Sequence, residues 1–253
     1  MNIENSLLQE KVNIGIKYFE ENKLDEATEI FENLKLNKNT INISNLFLGI
    51  ISIKKKENTK AKKYFDKILK NDPSHQDANL NLGLVYFAEK NYQRAEFYFD
   101  KVNKNFTAIY HKGLINFYTK KYDDAIKIFE NCINIDENFI FSYLNLGHIN
   151  LRLKKFNDAI NNYNKFLEKK PDDNISKFNL AWSYFGLSDL ENGFKFYEHR
   201  KEKIELKEKT LEVKKKFNPI EWKYENLNNK KILIISEQGI GDNIQFFRYL
   251  FSL

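Results

Sequence analysis

Residues 79–99 read NLNLGLVYFAEKNYQRAEFYF. Gly83 is followed twelve residues later by Ala95 and, four after that, by Phe99. The same three-part spacing recurs in both directions along the chain. Gly15, Gly49, Gly83, Gly113 and Gly147 fall at intervals of 34, 34, 30 and 34, and Ala181 continues the series 34 further on. Twelve residues after each stands a small residue: Ala27, Ala61, Ala95, Ala125, Ala159 and Gly193. Four after that stands an aromatic: Phe31, Phe65, Phe99, Phe129, Tyr163 and Tyr197. Self-similarity at such a period marks a repeat architecture, in which each repeat buries its apolar face against the next.

The register resembles the tetratricopeptide repeat, a helix–turn–helix hairpin with a small residue on each helix where the two backbones approach closely. The apolar residue before the glycine (Ile14, Leu48, Leu82, Leu146, Leu180) and the aromatic of the second helix fill the space beside that contact. Lys112 interrupts the first of these series in the fourth repeat, which reads as the short one. Pro73 and Pro171 fall at inter-repeat turns, where a helix must end because proline lacks a donor and clashes with the preceding turn. The expected fold is all-α: a superhelical solenoid of about six hairpins over residues 1–200, with a concave groove.

Composition agrees. Only 9 glycines and 3 prolines occur in 253 residues, too few for a sandwich or barrel with a turn signal every ten residues or so. The single cysteine, Cys132, excludes a disulfide framework and a multi-cysteine metal site. It stands seven residues after Ala125, at a position held elsewhere by Leu34, Ile68 and Val102, and reads as a buried inert thiol. The four histidines lie in separate segments, so no metal or other cofactor is expected. The first residues lack the pattern of a signal peptide, and no apolar run approaches the roughly 18 residues of a membrane span. These features lead us to expect a cytoplasmic location.

The formal charge is +6, from 41 basic and 35 acidic residues, but residues 201–253 carry 11 and 8 of these, so each part is +3. Only four of the basic residues are arginine, whose planar fork dominates base and phosphate recognition. The densest run, Lys54-Lys55-Lys56 with Lys60, Lys62 and Lys63, reads as a solvated turn, and nucleic acid is not expected as a partner.

At 100° per residue, the positions three before, one after and four after each glycine share a stripe that should face the groove. Seventeen of its eighteen positions are apolar or aromatic, among them Phe87, Phe117, Trp182 and Phe185, with His148 the exception. Large apolar patches of this kind mark interaction sites, so a peptide or protein ligand is expected there. Two residues before the glycine stand Asn13, Asn81, Asn145 and Asn179, interrupted by Phe47 and His111. A primary amide donates and accepts at once, so such a column can hold an extended backbone. His148 has no carboxylate at helical spacing and reads as a groove-wall or capping side chain.

After Tyr197 the repeat gives way to a charged stretch, residues 201–218, expected to be a helix or linker. From Pro219 on, the chain reads as the beginning of an α/β domain. Lys231–Ile235 (KILII) has the β-branched character of an interior strand. Glu237, Gln238, Gly239 and Gly241 form a tight loop ending at Asp242, and Asn243–Leu253 reads as a helix. A strand, a glycine loop and a helix can bring backbone amides to a phosphate or substrate. With no partner strand elsewhere in the sequence, this unit is expected to be the front of a longer polypeptide, the alternative being a sheet completed by another chain. The motif EQGIGDNIQFFRY at residues 237–249, preceded by YEHR at 197–200 and Trp222, resembles the junction of bacterial tetratricopeptide-fused, heptosyltransferase-like (GT-B) glycosyltransferases. That resemblance implies a nucleotide-sugar donor bound by a second lobe. It also implies that Asp242 takes a proton from the acceptor hydroxyl, although an aspartate there could instead cap the helix. Without the second lobe the chain is expected to lack transferase activity. The chain is therefore read as a scaffold that binds a peptide or protein in its groove, like the acceptor-recruiting part of such an enzyme; a glycosyltransferase completed by the second lobe, and an assembly chaperone, are the alternatives.

Overall fold

The computed structural model of the chain describes residues 3–202, all of whose regular structure is helical. Twelve α-helices pair as hairpins of the expected tetratricopeptide-like solenoid type: α1 (Ile3–Glu20), α2 (Leu24–Leu34), α3 (Ile41–Lys54), α4 (Asn58–Asn71), α5 (Gln76–Ala88), α6 (Tyr92–Asp100), α7 (Phe106–Tyr118), α8 (Tyr122–Ile135), α9 (Phe141–Arg152), α10 (Phe156–Lys169), α11 (Asn174–Gly186) and α12 (Leu190–Tyr197). A 3-10 segment, Glu198–Glu202, follows. The chain divides into two compact units between Ser142 and Tyr143. The first holds the four hairpins α1–α8; the second holds α9–α12. The expected strand at Lys231–Ile235, the loop ending at Asp242 and the helix after it lie outside the described residues.

The hairpin register is set by an aromatic ring lying on a backbone. A Cβ placed on Gly83 would stand 2.4 Å from Cε1 of Phe99, and one on Gly49 would stand 2.4 Å from Cε1 of Phe65. Gly15, Gly113 and Gly147 meet Phe31, Phe129 and Tyr163 in the same way, each at 2.8 Å. All five rings are fully buried. The glycine therefore makes room for a ring, a tighter demand than the backbone approach expected from the sequence. The alanines of the second helices (Ala27, Ala61, Ala95, Ala125, Ala159) are also fully buried. In the last hairpin the sizes are exchanged. Ala181 stands on the first helix, Gly193 on the second, and the space at Gly193 is taken by the ring of Phe185.

The four-residue deficit between Gly83 and Gly113 falls at the end of α6, which has 9 residues where the second helices α4 and α8 have 14. The shortened hairpin is thus the third, not the fourth as its glycine spacing suggested. The shortening also accounts for Lys112. Its ammonium meets Asp100, the last residue of α6, at 2.5 Å, where the other repeats have an apolar side chain.

Each first helix ends alike. Asn22, Lys56, Lys90, Lys120, Lys154 and Ser188, each seven residues after the register position, have φ between 58° and 63°. Their N–H groups, and those of the residues that follow, bond back to the last turn, as in Lys90 N to Phe87 O at 2.9 Å and Asn91 N to Tyr86 O at 2.9 Å. This is the Schellman arrangement, which satisfies otherwise orphaned carbonyls and normally favours glycine at the left-handed residue. Four lysines occupy it here, with the backbone bonds offsetting the steric cost. Pro73 and Pro171 lie in the turns after α4 and α10, as expected.

Two stability measurements follow from these contacts. Gly83→Ala gains about 1 kcal/mol of helix propensity but forces a methyl into a buried ring, so a net loss of about 1–2 kcal/mol is expected in chemical denaturation. Phe99→Leu should cost less in that background than in the parent, since it frees the space the methyl needs. Lys90→Gly should raise the midpoint by an amount equivalent to about 0.5 kcal/mol, because relief of the left-handed strain slightly exceeds the added chain entropy.

Candidate groove surfaces

In the first unit, the stripe expected to face the groove is only partly covered. Val12 and Leu46 are buried, whereas Ile16, Phe19, Ile50, Ile53, Leu80, Leu84, Phe87, Tyr110, Leu114 and Phe117 are half-buried. The neighbouring core takes one side of these residues: Ile50, Ile53, Leu80, Leu84 and Phe87 pack on the cluster built around Phe65, Leu82 and Phe99. The other side stays accessible, so the surface is apolar and shallow.

The most aromatic part of this surface gathers around Phe87. Its ring lies 5.0 Å from the His111 imidazole, edge to face, 5.9 Å from Tyr92 and 6.1 Å from Tyr118. Tyr92 and Tyr118 stack at 5.8 Å with their planes 4° apart. Phe117 approaches Tyr122 at 6.2 Å. The sequence pointed to Phe87 and Phe117 but missed Tyr92, Tyr118 and Tyr122, which come from the ends and beginnings of helices, outside the stripe's periodicity. Offset and edge-on ring pairs add stability beyond area and hold the side chains in place.

In the second unit, Trp182 is 48% exposed and stands among Phe178 at 6.0 Å, Phe185 at 6.0 Å and Tyr197 at 6.2 Å. The guanidinium of Arg200 lies over the Tyr197 ring at 4.5 Å. Phe185 also touches Phe194 at 5.1 Å. Tyr197 and Arg200, which the sequence placed at the close of the repeat, thus complete the aromatic wall around Trp182.

The four asparagines have different surroundings. Asn13 is exposed and accepts from Gln9 Nε2 at 3.1 Å; Asn81 is half-buried and donates to the Asp77 carbonyl at 2.8 Å. Asn145 is buried, and Asn179 is half-buried beside the hydroxyl of Tyr163. Asn13 and Asn81 belong to the first unit and the other two to the second. Two residues from Asn81, Asn79 is wholly buried and donates to the carbonyls of Pro73 and His75, each at 3.0 Å, which pins the inter-repeat turn.

Two of the histidines, His111 and His148, are biased towards the neutral form. Burial pushes the His111 imidazole below its usual range, partly countered by its bond to the Thr107 carbonyl at 2.7 Å. Burial and the nearby Arg152 charge do the same to His148, whose ring lies 5.7 Å from Tyr163. His148 is thus part of a packed wall. Cys132 is fully buried, and burial raises its thiol to about 11, which favours the protonated form near neutrality. Among the described residues, no group of histidine, cysteine or carboxylate side chains is placed to hold a metal ion, and no helix is long and apolar enough to cross a membrane. Asp242, Glu237, Gln238, Gly239 and Gly241 lie outside the described residues.

Residues 144–198 match the tetratricopeptide repeat family, and residues 54–132 match the family of anaphase-promoting complex (cyclosome) subunit 3. No curated protein matches the sequence. Among solved structures, PilW, a type IV pilus biogenesis factor, superposes with a TM-score of 0.68 at 16% identity, covering 82% of this chain and 99% of PilW. PilF of Pseudomonas aeruginosa gives 0.67 at 14%, covering 85% of this chain and 93% of that one. YrrB, a tetratricopeptide protein with an unusual peptide-binding site, gives 0.60 at 18%, covering 74% and 99%. At these identities the likeness shows the fold.

The buried histidines set a pH dependence. Their folded pKa values are depressed below the ordinary 6.5, so the unfolded chain binds more protons as pH falls. The stability due to neutral His111 and His148 is complete above about pH 6.5 and is lost as pH drops through the depressed values. The thermal midpoint should fall between pH 7.5 and 5. The double variant His111→Phe/His148→Phe should show a shallower fall over that range, and an unchanged slope would assign the effect to other groups.

Proposed function

We propose that the hairpins form a scaffold that binds a peptide or protein segment on the apolar stripe of their first helices. The observation carrying this reading is that ten of the twelve stripe positions in the first unit stay half-buried within a packed repeat. A surface that keeps aromatic side chains fixed and partly open has the composition of an interaction site, where aromatic anchors supply most of the affinity. In the first unit Phe87 and Phe117 are the anchors and Asn13 and Asn81 the backbone-directed amides. In the second unit Trp182 and Phe185 are the anchors, with Asn145 and Asn179 as the amides. The peptide-binding and pilus-biogenesis proteins that share this fold support a partner-binding role. The buried thiol suits a cytoplasmic location.

A more specific reading takes this scaffold as the acceptor-recruiting part of a glycosyltransferase. It rests on the EQGIGDNIQFFRY motif, in which Asp242 would serve as general base and Glu237, Gln238, Gly239 and Gly241 would form the ligand loop; a nucleotide sugar would then be the donor. An assembly chaperone would need neither the loop nor a donor.

Selection from a library of helical and extended peptides should yield binders. Phe117→Ala should weaken a binder at the first unit at least tenfold, and Trp182→Ala one at the second, with helicity by circular dichroism unchanged. No binders above background, or binders indifferent to both substitutions, would sink the scaffold reading. For the transferase reading, a polypeptide continuing into a second lobe should transfer sugar from a nucleotide sugar. Asp242→Asn should abolish that transfer while leaving peptide affinity intact.

A further inference from the structure

The first unit carries a second surface of opposite chemistry. A cleft of about 430 Å³ opens between the end of α2 and one face of α4, lined by Lys35, Lys60, Lys63, Lys67 and Lys70, with Tyr64 and Asp66. The four lysines of α4 stand at positions 60, 63, 67 and 70, the spacing that puts side chains on one helical face. At 1.5 Å per residue they form a row about 15 Å long. The lysine-rich run that reads in sequence as a solvated turn is thus divided by the fold. Lys55 pairs with Asp25 at 2.6 Å and Lys62 with Glu89 at 2.8 Å, while Lys60 and Lys63 enter the cleft.

The positive charge of this cleft is poorly compensated. Lys35 pairs with Glu32, and Lys60 with Glu57 at 3.3 Å. Among the described residues, Lys63, Lys67 and Lys70 form no ion pair. Asp66 is the only carboxylate lining the cleft, and Arg94 of α6 lies near enough to interact with it electrostatically. Lysines three and four apart on a helix repel, so the row is unfavourable for the isolated protein. The floor is rigid: Tyr64 is buried, and its hydroxyl donates to Glu32 Oε1 at 2.7 Å. Burial and that bond push the phenol up to about 12, so it adds no negative charge near neutrality.

We infer that this cleft binds a small anion bearing two or more linked phosphates. A row of ammonium groups is a set of compact point charges, which matches phosphate oxygens closely spaced along a chain. It lacks guanidinium forks, whose bidentate geometry serves carboxylate and phosphate alike, so it selects for density of negative charge, which is highest on linked phosphates. The cleft's volume and length suit a small oligophosphate, which would bridge the lysines that now repel one another. This site uses none of the residues assigned to the peptide groove.

The test is titration of the full chain with inorganic tripolyphosphate, followed by calorimetry at low and at physiological salt. Saturable binding that weakens with salt is expected, together with a rise in thermal midpoint. Lys63→Gln/Lys67→Gln/Lys70→Gln should reduce affinity at least tenfold and leave the ligand-free protein as stable as the parent or more so. The control Lys104→Gln/Lys120→Gln/Lys121→Gln removes three exposed lysines outside the cleft and should change affinity less than twofold. Equal losses in the two variants would reduce the effect to diffuse basicity and overturn the assignment. So would an absence of binding at millimolar tripolyphosphate, or tighter binding of an oligoglutamate peptide than of tripolyphosphate.

Discussion

The ring seated on a glycine backbone is the contact on which the rest of the hairpin depends. A Cβ at Gly49 or Gly83 would come within 2.4 Å of a buried ring carbon, so the two helices can lie as close as they do only with hydrogen at that position. The contact fixes separation and register together, because the ring is sixteen residues from its glycine and must return across a turn of constant length. The turn is constant because each first helix ends in the same left-handed residue, closed by the same pair of backbone bonds. Where the small residue changes, as at Ala181, the space moves to Gly193 and a different ring, Phe185, enters from the other helix. The constraint is therefore one hydrogen for one ring per hairpin; which helix carries it is open.

This geometry also decides what remains outside. With one face of each first helix committed to the ring and the neighbouring core, the residues about 100° away are covered on one side only. Their half-burial is a consequence of the hairpin, and their apolar character is a property of this sequence. A polar stripe would fold equally well on the same scaffold. That is why the composition of the stripe, more than the repeat itself, bears on function.

The fold was legible because its determinants are small and aromatic residues at constant intervals. Gly83, Ala95 and Phe99 name their partners by spacing alone. What the sequence hid was set by geometry without a distinctive residue type. Lysine is a poor left-handed residue, so nothing in the sequence marked Lys56, Lys90, Lys120 or Lys154 as one; only the fixed distance from each glycine could have done so. Asn79 and Asn81 look alike in sequence, yet one anchors a turn and the other lies at the groove, because two residues along a helix is a rotation of about 200°. The lysines of α4 were visible, but their opening onto a common cleft depends on how α2 ends beside them.

The two surfaces of the first unit respond to different physical conditions. Burial of apolar area on the stripe is nearly indifferent to ionic strength. A row of ammonium groups in a solvated cleft acts over a Debye length of about 8 Å at physiological salt and weakens as salt rises. The two surfaces share no lining side chain. Occupation of one need not distort the other, since a close-packed core resists small displacements. Coupling between them can pass through α4, which presents Phe65 to Gly49 on one side and Lys63, Lys67 and Lys70 to the cleft on another. A ligand that draws these lysines together favours an ordered α4. It thereby favours the hairpin contact that positions Ile50 and Ile53 on the stripe, so charge at the cleft can bear on the apolar surface through α4.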